Sequence, residues 1–144
     1  MITLRYTIEV DKPIDRVFAY LSDFTTTTEW DPGTVTTTRR SGDGGVGTEY
    51  ANTSAFLGRQ THLTYRVVDL VPNRMIRLTA DDNKSVKPVD TIEFSGDEQH
   101  TTVVYTAQFE FKGPAKLAEP LMRLPLARLG KNGERGMNEA LERL

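Results

Sequence analysis

Between residues 35 and 112 the chain is a succession of short segments rich in β-branched and aromatic residues, each closed by turn chemistry, and this stretch limits the fold more than any other. The segments run Val35 to Arg40, Thr48 to Ala55, Arg59 to Leu70, Arg74 to Thr79, Val89 to Ser95 and Thr101 to Lys112. Between them lie Ser41 to Gly47, Phe56 to Gly58, Pro72-Asn73, Ala80 to Pro88 and Gly96 to Gln99, with Gly, Pro, Asn or Asp wherever the chain must reverse. That is the pattern of an antiparallel meander. The last segment alternates most cleanly, with Val103, Tyr105, Ala107, Phe109 and Phe111 on one face and Thr106, Gln108, Glu110 and Lys112 on the other.

The flanks complete the layout. Ile2, Leu4, Tyr6, Ile8 and Val10 alternate with polar residues and predict a seventh strand. Pro13 suits the first turn of a helix in which Ile14, Val17, Phe18 and Leu21 share one face, ending near Ser22-Asp23. The threonine tract from Thr25 to Thr28 is a poor helix interior, so Thr28 is predicted to cap a single turn through Glu29, Trp30 and Asp31 before Pro32-Gly33. Gly113-Pro114 starts a terminal helix in which Leu117, Leu121, Leu124 and Arg128 form one row, and Leu129, Met137, Ala140, Leu141 and Leu144 extend an apolar face. Pro120 and Pro125 are predicted to bend it, with Gly130, Gly133 and Gly136 weakening it further. The expected product is one α+β domain over residues 1–144, in the order β-α-α-β6-α, its long sheet curling round the terminal helix.

Several function classes are excluded at this level. With 18 Lys and Arg against 20 Asp and Glu, the chain lacks the basic footprint of a nucleic-acid binder. Zero Cys removes disulfides, a thiol nucleophile and a zinc-thiolate site, and fits a cytoplasmic setting. Charges at Arg5, Glu9, Asp11 and Lys12 break any signal-peptide core, and no apolar run reaches the ~18 residues of a membrane span. Gly42-Asp43-Gly44-Gly45-Val46-Gly47 matches G-x-G-x-x-G in letters only: it joins two strand segments, without the helix N-terminus that would meet a pyrophosphate, and is read as a hairpin turn. No cofactor, metal site or catalytic residue is therefore expected. His100 falls in a turn, His62 has the opposite parity to Leu63, Tyr65 and Val67, and Asp81-Asp82-Asn83 reads as a turn.

The run Ile8 to Asp23, the Glu29-Trp30-Asp31-Pro32-Gly33 turn, Val46-Gly47-Thr48-Glu49-Tyr50, Phe56-Leu57-Gly58-Arg59, the stretch Tyr65 to Met75 and Phe109 to Pro114 together resemble the START-like superfamily. This is the helix-grip fold shared with birch-pollen-type allergens, and the likeness is to its polyketide cyclase/dehydrase and lipid-transport-like branch, labelled SRPBCC. The resemblance implies a seven-stranded antiparallel sheet gripping the terminal helix, with an apolar cavity between them for a lipid, sterol, polyketide or hormone-like molecule. Expected cavity residues are Trp30 near the mouth, Tyr50, Tyr65, Tyr105 and Phe109 on the strands, and Leu117, Leu121, Met122 and Leu124 on the helix. The expected function is binding, transport or sequestration of a hydrophobic small molecule. Alternatives are a cyclase or aromatase in which tyrosines and His62 orient a polyketone, and an interaction domain with a filled core. The basic residues Lys112, Lys116, Arg123, Arg128, Lys131 and Arg135 are read as a solvated helix face, with transient contact to an anionic headgroup or membrane surface as the alternative. The segment Leu117 to Leu129, with its two prolines, is expected to be the least rigid part of the helix and the gate for ligand.

Overall fold

A computed structural model describes residues 1–144. Seven strands form one antiparallel sheet: β1 (Ile2–Val10), β2 (Thr34–Ser41), β3 (Glu49–Phe56), β4 (Arg59–Val71), β5 (Met75–Thr79), β6 (Val86–Gly96) and β7 (Thr101–Phe111), in the spatial order β1-β7-β6-β5-β4-β3-β2. The sheet is a meander from β2 to β7, and β1 closes on β7 from Ile2 opposite Phe109 to Val10 opposite Thr101. Helices α1 (Ile14–Ser22) and α2 (Thr27–Trp30) follow β1, and α3 (Glu119–Glu142) ends the chain. Val17, Leu21 and Phe24 pack with Ile76, Leu78, Ile92 and Val103 of the sheet and with Met137 and Leu141 of α3. This is the predicted seven-stranded helix-grip layout.

Local details differ from the expectation. Strand β6 begins at Val86 and contains Pro88, which was expected in a turn. Proline survives there because β5 pairs with β6 only from Val89 onward, so Pro88 has a ladder partner on the β7 side alone. The threonine tract is helical rather than a cap, with a 3-10 turn over Phe24–Thr26 leading into α2. Its hydroxyls find tertiary partners: Thr27 Oγ1 lies 2.7 Å from Thr37 Oγ1, Asn52 Nδ2 donates to Thr37 Oγ1 at 2.9 Å, and the Thr37 amide donates to Thr28 Oγ1 at 3.0 Å. This buried network ties α2 to β2 and β3, and so holds Trp30 at the helix's end.

The terminal segment opens with a 3-10 turn over Gly113–Ala118, and Pro120 lies in the first turn of α3, where its missing N–H has no intrahelical partner to lose. Only Pro125 stands inside the helix, where it removes the donor to the Leu121 carbonyl, and α3 continues through it. The glycines make close packing possible. A Cβ on Gly136 would sit 1.9 Å from the Trp30 carbonyl oxygen, and one on Gly130 would sit 3.1 Å from Leu4 Cδ1. Bare backbone at these positions lets α3 lie directly against β1 and the Trp30 turn.

Candidate functional site

Between the concave face of the sheet and α3 lies a cavity of about 190 Å³. Alternation along the strands supplies most of its wall: Leu4 and Tyr6 from β1, Leu63 and Tyr65 from β4, Asp90 from β6, and Tyr105, Ala107, Phe109 and Phe111 from β7. Trp30 and Asp31 enter from the end of α2, and Leu126, Leu129, Gly130 and Gly133 from α3.

Of the residues named from the sequence, Trp30, Tyr65, Tyr105 and Phe109 are on this wall. Tyr50 is not: it is fully buried in the core with its ring 5.9 Å from that of Phe24. Leu117, Leu121 and Leu124 face solvent at 85%, 76% and 62% exposure, and half-buried Met122 is also off the wall. The buried stripe of α3 runs through Leu126 and Gly133 in place of the leucine row and then through Met137, Ala140 and Leu141, as expected. Residues two apart on an α-helix point about 200° apart, so choosing the Leu124 row over the Leu126 row turns the helix almost over. Glycine misled the periodicity, because Gly130 and Gly133 belong to the inward face yet read as breaks in it.

The charged groups of the wall are carboxylates; no Lys, Arg or His lines it. Asp90 is buried, and one carboxyl oxygen, Oδ2, accepts the Tyr105 hydroxyl. Its other oxygen, Oδ1, and the buried Trp30 indole Nε1 have no hydrogen-bond partner. Burial pushes the Asp90 carboxyl up to about 7; the Tyr105 bond opposes the rise and the negative field of Asp31 adds to it. Asp31 is raised by burial too, against the pull of the Gly33 amide at 3.0 Å and the Thr34 hydroxyl at 3.1 Å. Burial, reinforced by the charges of Asp90 and Asp31, also raises Tyr6 and Tyr65, so both phenols stay neutral. The rings are ordered: Tyr6 stacks on Tyr105 with centroids 5.3 Å apart, and Trp30 meets Tyr105 edge-on at 5.8 Å.

Sequence reasoning passed over Asp31, Asp90 and Tyr6. A signal for Asp90 existed, since it shares strand parity with Ile92 and Phe94 and is therefore an acid in an apolar row. Asp31 carried no such signal, because its burial depends on the approach of α3.

Elsewhere the candidate chemistry is peripheral. His62 is exposed, with Nδ1 3.0 Å from Thr53 Oγ1, and half-buried His100 sits 2.9 Å from Asp11. The glycine-rich loop joins β2 to β3, with Gly42, Gly44 and Gly47 at positive φ. Asp82 accepts the Thr64 amide, and Asp81 meets Lys87 at 3.2 Å. No group of His, Asp and Glu is placed to hold a metal ion. No helix is long and apolar enough to cross a membrane.

A family model described as polyketide cyclase / dehydrase and lipid transport matches residues 1–144. Among solved structures, the chain is similar to the Zhui aromatase/cyclase from Streptomyces sp. R1128, with a TM-score of 0.83 at 18% identity over 98% of this chain and 93% of that one. A START superfamily protein from Mycobacterium smegmatis superposes with a TM-score of 0.81 at 13% identity, covering 98% and 97% of the two chains. A protein from Thermobifida fusca gives 0.63 at 25% identity, covering 99% and 96%. No curated protein matches.

Proposed function

We propose that this chain, which belongs to the polyketide cyclase/dehydrase and lipid-transport family, binds a small apolar molecule of one or two rings between its sheet and α3. The size and lining of the cavity carry the reading. An apolar cavity of roughly 150 Å³ accommodates benzene, whereas pockets for drug-sized ligands run from about 300 Å³ upward. At about 190 Å³ the space favours a one- or two-ring ligand over a sterol or a long acyl chain. Burying about 200 Å² of apolar ligand surface is worth roughly 5 kcal/mol, which sets the expected affinity in the submillimolar range.

The test is a titration with neutral 1-naphthylmethanol. Saturable binding at a single site is expected, lost in Ala107→Leu, whose larger side chain fills the wall beside Phe109 while the variant keeps a cooperative unfolding transition. Absence of saturable binding up to millimolar concentrations, or unchanged binding in Ala107→Leu, defeats the reading and leaves a filled-core interaction domain.

One observation favours an enzymatic variant. A carboxyl held near 7 and bonded to a tyrosine hydroxyl is matched to proton transfer at neutral pH. In a cyclase Asp90 and Tyr105 would then move protons on a bound polyketone, and turnover of a poly-β-ketone lost in both Asp90→Asn and Tyr105→Phe is the result that reading requires.

The packing supports a reading in which ligand enters at the start of α3. Leu126 and Leu129 cover the cavity there, beside an interrupted hydrogen bond at Pro125, whereas Met137, Ala140 and Leu141 are anchored in the core. Amides around Leu121 to Leu126 are expected to exchange with solvent faster than those of Met137 to Leu144 in the empty protein, and to slow when 1-naphthylmethanol is added. Equal protection along α3 would make Pro125 a static feature.

A further inference from the structure

The neutral wall of the cavity accounts for an apolar ligand but not for its acids. A ligand held by apolar burial alone gains nothing from a carboxyl carried into the core, and such a group is costly unless something satisfies it. Tyr105 satisfies one oxygen of Asp90, and the other is left without a partner in a residue only 7% exposed. In the ionised carboxyl the unmet requirement is therefore for a hydrogen-bond donor.

Three further features give that donor a sign. Asp31 is the second carboxyl of the same wall, and its field adds to that of Asp90. No basic side chain on the wall answers either of them. Around the two acids stand Tyr6, Tyr65, Tyr105 and Trp30, whose ring faces are electron-rich and attract cations. The two carboxyls and the ring faces thus oppose an anion and favour a positive charge, and the unpartnered Trp30 Nε1 is a wall donor that points the other way. A neutral hydroxyl would supply the missing hydrogen bond, but only a cation also offsets the charge.

Resting on the binding reading above, we infer that the cavity selects a protonated amine: a one- or two-ring hydrophobic molecule whose ammonium group lies against Asp90 within the ring of Tyr6, Tyr65, Tyr105 and Trp30. The apolar body is held by Leu63, Phe109 and Leu126, and the ammonium donates to Oδ1 of Asp90. The groups that share the titration are Asp31 from the α2 turn, Tyr6 from β1, Tyr65 from β4 and Tyr105 from β7, with Glu134 of α3 acting on Tyr6. Because an ionised Asp90 is needed, binding of the amine strengthens as pH rises through the titration of that carboxyl and weakens below it.

The matched pair 1-naphthylmethylamine and 1-naphthylmethanol separates this from simple apolar binding. At pH 8, where the amine is protonated, calorimetry is expected to give at least about tenfold tighter binding of the amine to the wild type. The preference should shrink at pH 5.5 and collapse to near parity in Asp90→Asn, while the alcohol binds both proteins alike. Asp31→Asn is expected to reduce the preference without abolishing it. Equal affinities for amine and alcohol in the wild type at pH 8, or a preference that survives Asp90→Asn, would overturn the inference and leave the apolar-binding reading standing. Failure of both compounds to bind would defeat the two together.

Discussion

Replacing Asp90 with Asn is expected to stabilise the empty protein at pH 8 and to destabilise it at pH 4. The Asp90 carboxyl is raised to about 7 in the fold from an ordinary value of 3.8, so between those values the folded state binds a proton that the unfolded state has released. Wild-type stability contributed by this group is therefore complete below about 4, falls as pH rises through the window, and levels off above 7. At about 1.4 kcal/mol per pH unit the full span is roughly 4 kcal/mol. Asparagine escapes that cost and keeps an acceptor for the Tyr105 hydroxyl. Its amide donors, however, enter the same dry surroundings at a penalty of about 1–3 kcal/mol. The net expectation is a gain of about 2 kcal/mol at pH 8, or roughly 6 °C in the unfolding midpoint, changing sign as the pH is lowered. Asp31 titrates in the same direction in both proteins, so apart from its coupling to Asp90 it cancels in the difference. Thermal melts of the two proteins from pH 4 to pH 8 check this. A difference that does not vary with pH would show that Asp90 is not held in its protonated form by burial. A residue that lowers stability at neutral pH, in a wall otherwise built for burial, supports the ligand contact inferred for Asp90 above.

The second large effect is a contrast between two glycines of one helix. Gly136→Ala places a methyl group 1.9 Å from the Trp30 carbonyl oxygen, a contact that only a shift of backbone can relieve. The helix gains roughly 1 kcal/mol of propensity, but overpacking costs about 1–3 kcal/mol and more where backbone meets backbone. A net loss of about 2 kcal/mol is expected, with a change in the emission of Trp30, the only tryptophan. Gly133→Ala should do the opposite. Its Cβ would lie 3.5 Å from the Tyr6 hydroxyl and 3.8 Å from the Trp30 ring, ordinary contacts, so the propensity gain survives and the unfolding midpoint rises. Equal behaviour of the two variants would mean that α3 does not ride on the Trp30 turn as closely as the fold requires.

Both predictions concern residues whose importance is invisible to hydropathy. Alternation in Ile2 to Val10 and Val103 to Phe111 was enough to identify β1 and β7 and which of their faces is buried, because a two-residue period leaves only two choices and apolar side chains select one. The order of strands and helices followed from local turn chemistry. Strand parity carried Tyr65, Tyr105 and Phe109 to the sheet's inward face, while their expected place at a cavity, and that of Trp30, came from the family resemblance; all four are on the wall.

The inward face of the first half of α3 was not legible, although Met137, Ala140 and Leu141 in its second half were. Leu117, Leu121 and Leu124 make a better apolar row than one interrupted by glycines, and only the sheet's demand for close approach turns that row to solvent and brings Leu126, Gly130 and Gly133 inward. Pro88 and the threonine tract were misread for a related reason, since a missing β5 neighbour and the buried Thr37 hydroxyl are facts about other segments of the chain. The amino-acid order by itself determined the sheet, its inward face and the helix-grip layout, all of which rest on periodicity and turn preference within a few residues. Tertiary packing alone decided that Asp31 and Asp90 share a cavity with seven aromatic side chains, because burial of a carboxylate belongs to what surrounds it and not to the residue itself.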